Sequence, residues 1–139
     1  MFEFDSALFK EGALDFLVAF GVGGAFTFLF KLIYQALTPY NDGALIKQGN
    51  TAAAVALWGA VVGYVLPLIS AIAHAVSLPE LMAWAALAAV IQILAFVVVR
   101  MLAVRNVKGR IEAGDMSAAV YLAGLSLTVG LLNAACITD

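Results

Sequence analysis

The run TAAAVALWGAVVGYVLPLISAIAH, residues 51–74, carries no formal charge along its whole length. A bilayer's hydrocarbon core is about 30 Å thick and an α-helix rises about 1.5 Å per residue, so roughly 20 apolar residues cross it. Residues 51–74 therefore read as a transmembrane helix. Three stretches of the same kind surround it. Residues 14–37 have an uncharged centre bracketed by Asp15 and Lys31 and are ended by Pro39. Residues 81–104 follow Pro79 and Glu80, and residues 116–138 are again uncharged. Lipid cannot satisfy an open strand edge, and the alternation of a barrel is absent, so the spans are helices. The links, residues 39–50, 75–80 and 105–115, are short. Short links imply antiparallel neighbours. The expected fold is an all-α integral membrane protein, a four-helix up-down-up-down bundle.

Composition agrees. Of 139 residues, 65% are hydrophobic and 12% charged, with a mean hydropathy of +1.05. A soluble domain would be about a quarter charged. The net charge of −2 and the lack of a basic patch with interleaved aromatics argue against nucleic acid. Cys136 is the only cysteine, which excludes an intrachain disulfide and a thiolate metal site. It reads as a buried free thiol near the outer surface. The acidic and aromatic start Met1-Phe2-Glu3-Phe4-Asp5 does not read as a cleavable signal. Residues 1–13, with Phe2, Phe4, Leu8 and Phe9, read either as a short interfacial helix or as a loosely ordered terminus.

Orientation follows from the cations. Lys31, Lys47, Arg100, Arg105, Lys108 and Arg110 lie at the end holding links 39–50 and 105–115, and only Lys10 lies at the other. The positive-inside rule then places both those links in the cytoplasm and both termini outside.

A shift of 65 residues lays Ile46–Gly59 over Ile111–Gly124, both reading I-x-x-G-[ND]-x-x-A-A-V-x-L-x-G. Asn41 meets Asn106 and Leu37 meets Leu102 at the same offset. Gly, Ile and Asn/Asp at identical offsets mark an internal duplication. Repeat 1 covers residues 14–78 and repeat 2 residues 79–139. Each holds two spans, so the copies share one orientation and form a parallel repeat about an axis along the membrane normal.

The Gly-Asn/Asp-x-x-Ala-Ala-Val start of the second and fourth spans, and the ending Leu-Leu-Asn-Ala-Ala-Cys-Ile-Thr, resemble the YjfL-like family of small bacterial inner-membrane proteins, domain of unknown function 350. The resemblance runs from about Leu14 to the end and includes the tandem arrangement. It implies a bacterial inner membrane and carries over no catalytic residues.

The polar residues inside the spans are the candidate site. Lys31, Gln92, Ser126 and Asn133 could line a polar intramembrane site, since charges and amides in lipid need partners. The plainer reading is that Lys31 snorkels to the headgroups and that Gln92 and Asn133 hold helices together. Arg100, closer to its helix end, is read as snorkelling. Ser126, Gly130 and Asn133 share one helical face. Asn50 and Asp115 read as N-caps, or as a pair across the repeat axis that binds a cation or a basic partner. Gly59, Gly63, Gly124 and Gly130 read as helix-packing positions, because small residues allow close approach. Trp58, Trp84, Tyr34, Tyr40 and Tyr64 include interfacial anchors. His74 lacks a second ligand for zinc and reads as an interfacial polar residue.

No nucleophile–base pair, phosphate loop or metal cluster is apparent, so no catalytic residue, metal or cofactor is expected. The expected function is a non-enzymatic module that assembles with itself or with other membrane proteins. The alternative is an oligomeric channel or transporter for a small solute or ion.

Overall fold

The computed structural model describes residues 3–102 and 106–137. Among the described residues there are six helices: α1 (Ser6–Leu37), α2 (Asp42–Lys47), α3 (Thr51–His74), α4 (Leu78–Leu102), α5 (Val107–Glu112) and α6 (Met116–Cys136). Four of them, α1, α3, α4 and α6, are long and apolar enough to cross a membrane. Arg105 of the orientation count, Phe2 of the N-terminal segment, residues 103–104 and Thr138 at the span ends lie outside the described residues.

The N-terminal segment is not a separate helix in the interface. Ser6–Ala13 continues into the first span, and α1 is one helix of 32 residues. At about 1.5 Å per residue it is about 48 Å long, well beyond a 30 Å core. Asp5 starts it by accepting hydrogen bonds from the backbone N–H groups of Ala7 and Leu8 at 3.0 and 3.2 Å. Thr38, which precedes Pro39, is extended with ψ 142° and ends it, because proline disfavours a helical residue before it.

The links read as loops hold the short helices α2 and α5. The shared letters of the sequence repeat are their stop and restart signals. Asn41 caps α2 and Asn106 caps α5. Gly49 (φ +84°) and Gly114 (φ +79°) take the left-handed conformation that closes each short helix. Asn50 then starts α3 through the Ala53 N–H, and Asp115 starts α6 through the Ser117 and Ala118 N–H groups. Each of these elements stands at the 65-residue offset from its counterpart.

The largest interhelical contact is between α3 and α6, which run parallel through the centre of the bundle. Gly59 meets Ala123, Gly63 meets both Ser126 and Gly130, and farther along Ser70 Oγ donates to the Ala134 and Ile137 carbonyls at 2.9 and 3.0 Å. A side chain on Gly130 would overlap the Gly63 carbonyl oxygen, and one on Gly63 would lie 2.5 Å from the Ser126 oxygen. Gly124, expected with them, instead faces outward with nothing within 4 Å of where a side chain would be. The reason is rotational: Gly59 presents to α6, while its repeat mate sits on the far side of α6.

The flanking helices α1 and α4 are tied on by aromatic rings. Phe30 of α1 stacks on Tyr64 of α3 at 4.5 Å between centroids, and Tyr34 tilts against Phe96 of α4 at 4.7 Å. Tyr64 Oη donates to the Ala85 carbonyl of α4 at 2.9 Å. Tyr34, Tyr40 and Tyr64 are therefore core residues rather than interfacial anchors, each 5% exposed or less. Their hydroxyls suit burial where backbone carbonyls lie in reach, as they do for Tyr34 and Tyr64. Trp58 does face outward, and Trp84 is half-buried with its indole N–H donating to Glu80. Cys136, expected to be buried, is exposed and lines a groove between α4 and α6.

Candidate functional site

Two polar places lie within the bundle. The first joins α4 to α6. Gln92 is buried, and its Nε2 donates to the Ser126 carbonyl at 3.3 Å. Asn133 Nδ2 donates to the Ala88 carbonyl at 3.2 Å and reaches Gln92 Oε1 at 3.5 Å. Gln92, Ser126 and Asn133 thus come together, Ser126 through its backbone oxygen. Asn133 also stands in the wall of an apolar groove of about 400 Å³ between α4 and α6. Amides with partners of this kind hold helices together in lipid, where an unmade bond is costly.

Lys31 is not part of this group. It lies on α1 at the end of a separate groove against α3, beside Trp58. Asn50 and Asp115 engage different partners. Asn50 Nδ2 donates to the Ile111 carbonyl at 2.8 Å and so links the two halves of the chain. The Asp115 carboxylate has no N–H to donate in return, and accepts instead from Arg110 Nε at 2.8 Å. The Arg110 hydrogen bond holds the half-buried Asp115 carboxyl below the ordinary range. Arg100 donates to the Leu37 carbonyl and lies 6.0 Å over the Phe96 ring, fastening the ends of α1 and α4. His74 is exposed and bonds back to the Ser70 carbonyl at 2.8 Å.

The second polar place escaped the sequence reading. Asp42, the first residue of α2, is 2% exposed. Thr38 Oγ1 lies 2.6 Å from its Oδ2. The other carboxyl oxygen, Oδ1, and the hydroxyl of buried Tyr40 have no hydrogen-bond partner among the described residues. Burial pushes the Asp42 carboxyl above the ordinary range, while the Thr38 hydroxyl, its own backbone and the charge of Lys31 pull it back. Burial likewise pushes the Tyr40 hydroxyl up to about 12; Asp42 adds to this, and Tyr34 and Arg100 oppose it. An Asp beside Asn41, after Pro39, reads as a surface turn residue. The available signal was the repeat register, which lays Asp42 over Val107, an apolar residue that is also buried.

This geometry defines a small multi-pass membrane protein whose polar groups sit between helices and beneath a short helix at one membrane boundary. Residues 7–137 match the family described as Domain of Unknown Function (DUF350), and the chain belongs to that family. It is 41% identical over 128 residues to the UPF0719 inner membrane protein YjfL of Escherichia coli strain K12, covering 92% of this chain and 96% of the relative. The protein of the same name from Escherichia coli O157:H7 matches to the same extent. No solved structure matches. The chain is a multi-pass inner-membrane protein.

Proposed function

We propose that this protein is a non-enzymatic assembly module of the inner membrane, built from a duplicated helical hairpin and associating with itself or with partner membrane proteins through the outward face of α6. The observation that carries this is a seam on that helix. Ser117, Tyr121, Gly124, Thr128, Leu131 and Ala135 are all exposed and are spaced alternately by four and three residues. That is the spacing of a helix-packing seam, and four of its six residues are small. Small residues let a second helix approach closely in lipid. The seam runs from Ser117 to Ala135, about 27 Å, nearly the whole hydrocarbon core. The packing asymmetry of the bundle leaves it open: α3 packs against both α1 and α4, whereas α6 packs against α4 and has no substantial contact with α1.

The intramembrane amides support the same reading. Gln92 and Asn133 are engaged with each other and with backbone oxygens, and Lys31 stands apart from them. Lys31 therefore shares no route with the two amides within one subunit. On this reading both termini face the periplasm, and α2 and α5 lie at the cytoplasmic boundary.

The test is the mass of the gently extracted native complex, with every protein in it identified. The expected result is an assembly larger than the 14.5 kDa chain. Gly124→Leu should reduce it to single chains without unfolding them, since nothing in the subunit lies within 4 Å of the added side chain's Cβ. A monomeric wild type, or a Gly124→Leu assembly of unchanged size, would overturn the proposal.

A further inference from the structure

The groove that holds Lys31 is unrelated to the α6 seam. It lies between α1 and α3 and encloses about 510 Å³, within the roughly 300–1,000 Å³ range of small-ligand sites. Gly23 and Gly24 line it, with no side chains to fill it; Gly24 has nothing within 4 Å of where one would go. Phe20, Leu68 and other apolar residues make its walls. Thr27 is its one hydroxyl, and that hydroxyl is already engaged with the Gly23 carbonyl at 2.8 Å. Along α3 the lining runs from Trp58 to Ile72, about 21 Å at 1.5 Å per residue. One leaflet contributes about half of a 30 Å core, so an acyl chain fits the groove along its length.

One end is chemically different. Lys31 and Trp58 both line the groove at the end nearer α2. Lys31 is half-buried within a membrane span. It makes no ion pair among the described residues, where the one salt bridge is Arg110–Asp115. An ammonium group at this depth is costly without an anion or a path to water. Indole rings favour the headgroup level, where one edge is wet. An apolar channel of acyl length that ends in a tryptophan and a cation with no direct ion pair, the Asp42 carboxyl acting on it only from a distance, is complementary to an anionic lipid.

We infer that the α1–α3 groove is a binding site for one anionic phospholipid, with an acyl chain along Gly23 and Gly24 and the phosphate at Lys31. A helix from a second copy would fill the walls and leave the ammonium unanswered. A zwitterionic lipid would offer a phosphate already balanced by its own cation.

The experiment reconstitutes the full chain in nanodiscs of equal parts phosphatidylglycerol and phosphatidylcholine, releases it gently, and counts retained lipids by native mass spectrometry. Wild type should retain one phosphatidylglycerol per chain, preferred about five-fold over phosphatidylcholine, the effect of one cation near an anionic surface. Lys31→Met should abolish the preference, Lys31→Arg should keep it, and Lys47→Met, at an exposed position of α2, should leave it unchanged. Gly24→Phe fills the groove and should displace both lipids. Should that variant not fold, the Lys31 pair decides alone. Equal retention of the two lipids by wild type would overturn the inference. So would a preference that survives Lys31→Met, or a lipid-free groove that self-crosslinks through Gly24→Cys.

Discussion

Gly130 rests against the backbone carbonyl of Gly63, so closely that neither position has room for a side chain. This contact sets the separation of the two central helices, and the rest of the bundle is arranged around it. A Cβ on Gly130 can be accommodated only if α3 and α6 move apart. Gly130→Ala should therefore cost about 1–3 kcal/mol, as forcing volume into a packed site usually does. Unfolding of the purified protein in mixed micelles measures it. Gly124→Ala, on the open side of the same helix, should change stability by less than about 0.5 kcal/mol. Equal effects at the two positions would contradict the packing described.

The link between Gln92 and Asn133 invites a double-mutant cycle. Asn133→Leu alone removes the donor to the Ala88 carbonyl and a partner of Gln92. A loss of about 1 kcal/mol is expected for an intramembrane bond of this kind. Gln92→Leu in the same protein should add less than its own single effect, because the amides act together. Strict additivity would show that they do not.

Asp42 should make the docking of α2 sensitive to pH. Its folded-state carboxyl is raised by burial, so the protonated form suits the folded state better. The sign follows by linkage: its contribution is fully present below the ordinary carboxylate value of about 3.9 and is lost as pH rises through the raised folded value. Amide exchange in α2 should accelerate over that window, and Asp42→Asn should remove the dependence. Asp115 works in the other direction. Its lowered carboxyl helps the start of α6 above the ordinary value and stops helping as pH falls through the lowered one. Exchange in α2 that does not respond to pH beyond its intrinsic chemistry would rule out the Asp42 effect.

Topology can be read with the native thiol. Cys136 is exposed at the end of the molecule away from α2 and α5. With the termini outside, a membrane-impermeant maleimide should label it in cells whose outer membrane has been made permeable. Asn106→Cys in a Cys136→Ser background should stay unlabelled until the inner membrane is opened. The reverse pattern would invert the orientation.

Much of the fold was legible because lipid makes it so. With no water to satisfy the backbone, uncharged runs of 20 or more residues have one structural answer. The Gly49-Asn50 and Gly114-Asp115 pairs were legible as helix starts because caps are local chemistry, decided within four residues. The helices they also stop, α2 and α5, were not. Each has six residues, too few to show a period, and such helices form only when held by their neighbours.

The candidate site was legible in part. Ser126 and Asn133 were grouped by helical spacing, and spacing along a helix predicts which residues share its face. Gln92 and Lys31 were added to them on chemistry alone, and chemistry carries no information about which helix faces which. The structure brings Gln92 to the pair and leaves Lys31 apart. Asp42 was missed because its letters describe a turn, while its burial depends on how α2 packs against α3.

The sequence by itself determined that the chain spans a membrane four times, close to where most of the long helices begin or end, and that its two halves share one pattern. These follow from hydropathy, capping and repetition, all of which act over short distances along the chain. Only the tertiary structure decided that Gly59, Gly63 and Gly130 face inward while Gly124 faces out, and that three tyrosines are core. It also decided that Lys31 stands apart from the amides, with Trp58 at the end of a groove. Those outcomes depend on the rotation of each helix about its own axis. In a protein apolar on nearly every side, no hydrophobic stripe marks that rotation, and the close fit of backbone against backbone sets it instead.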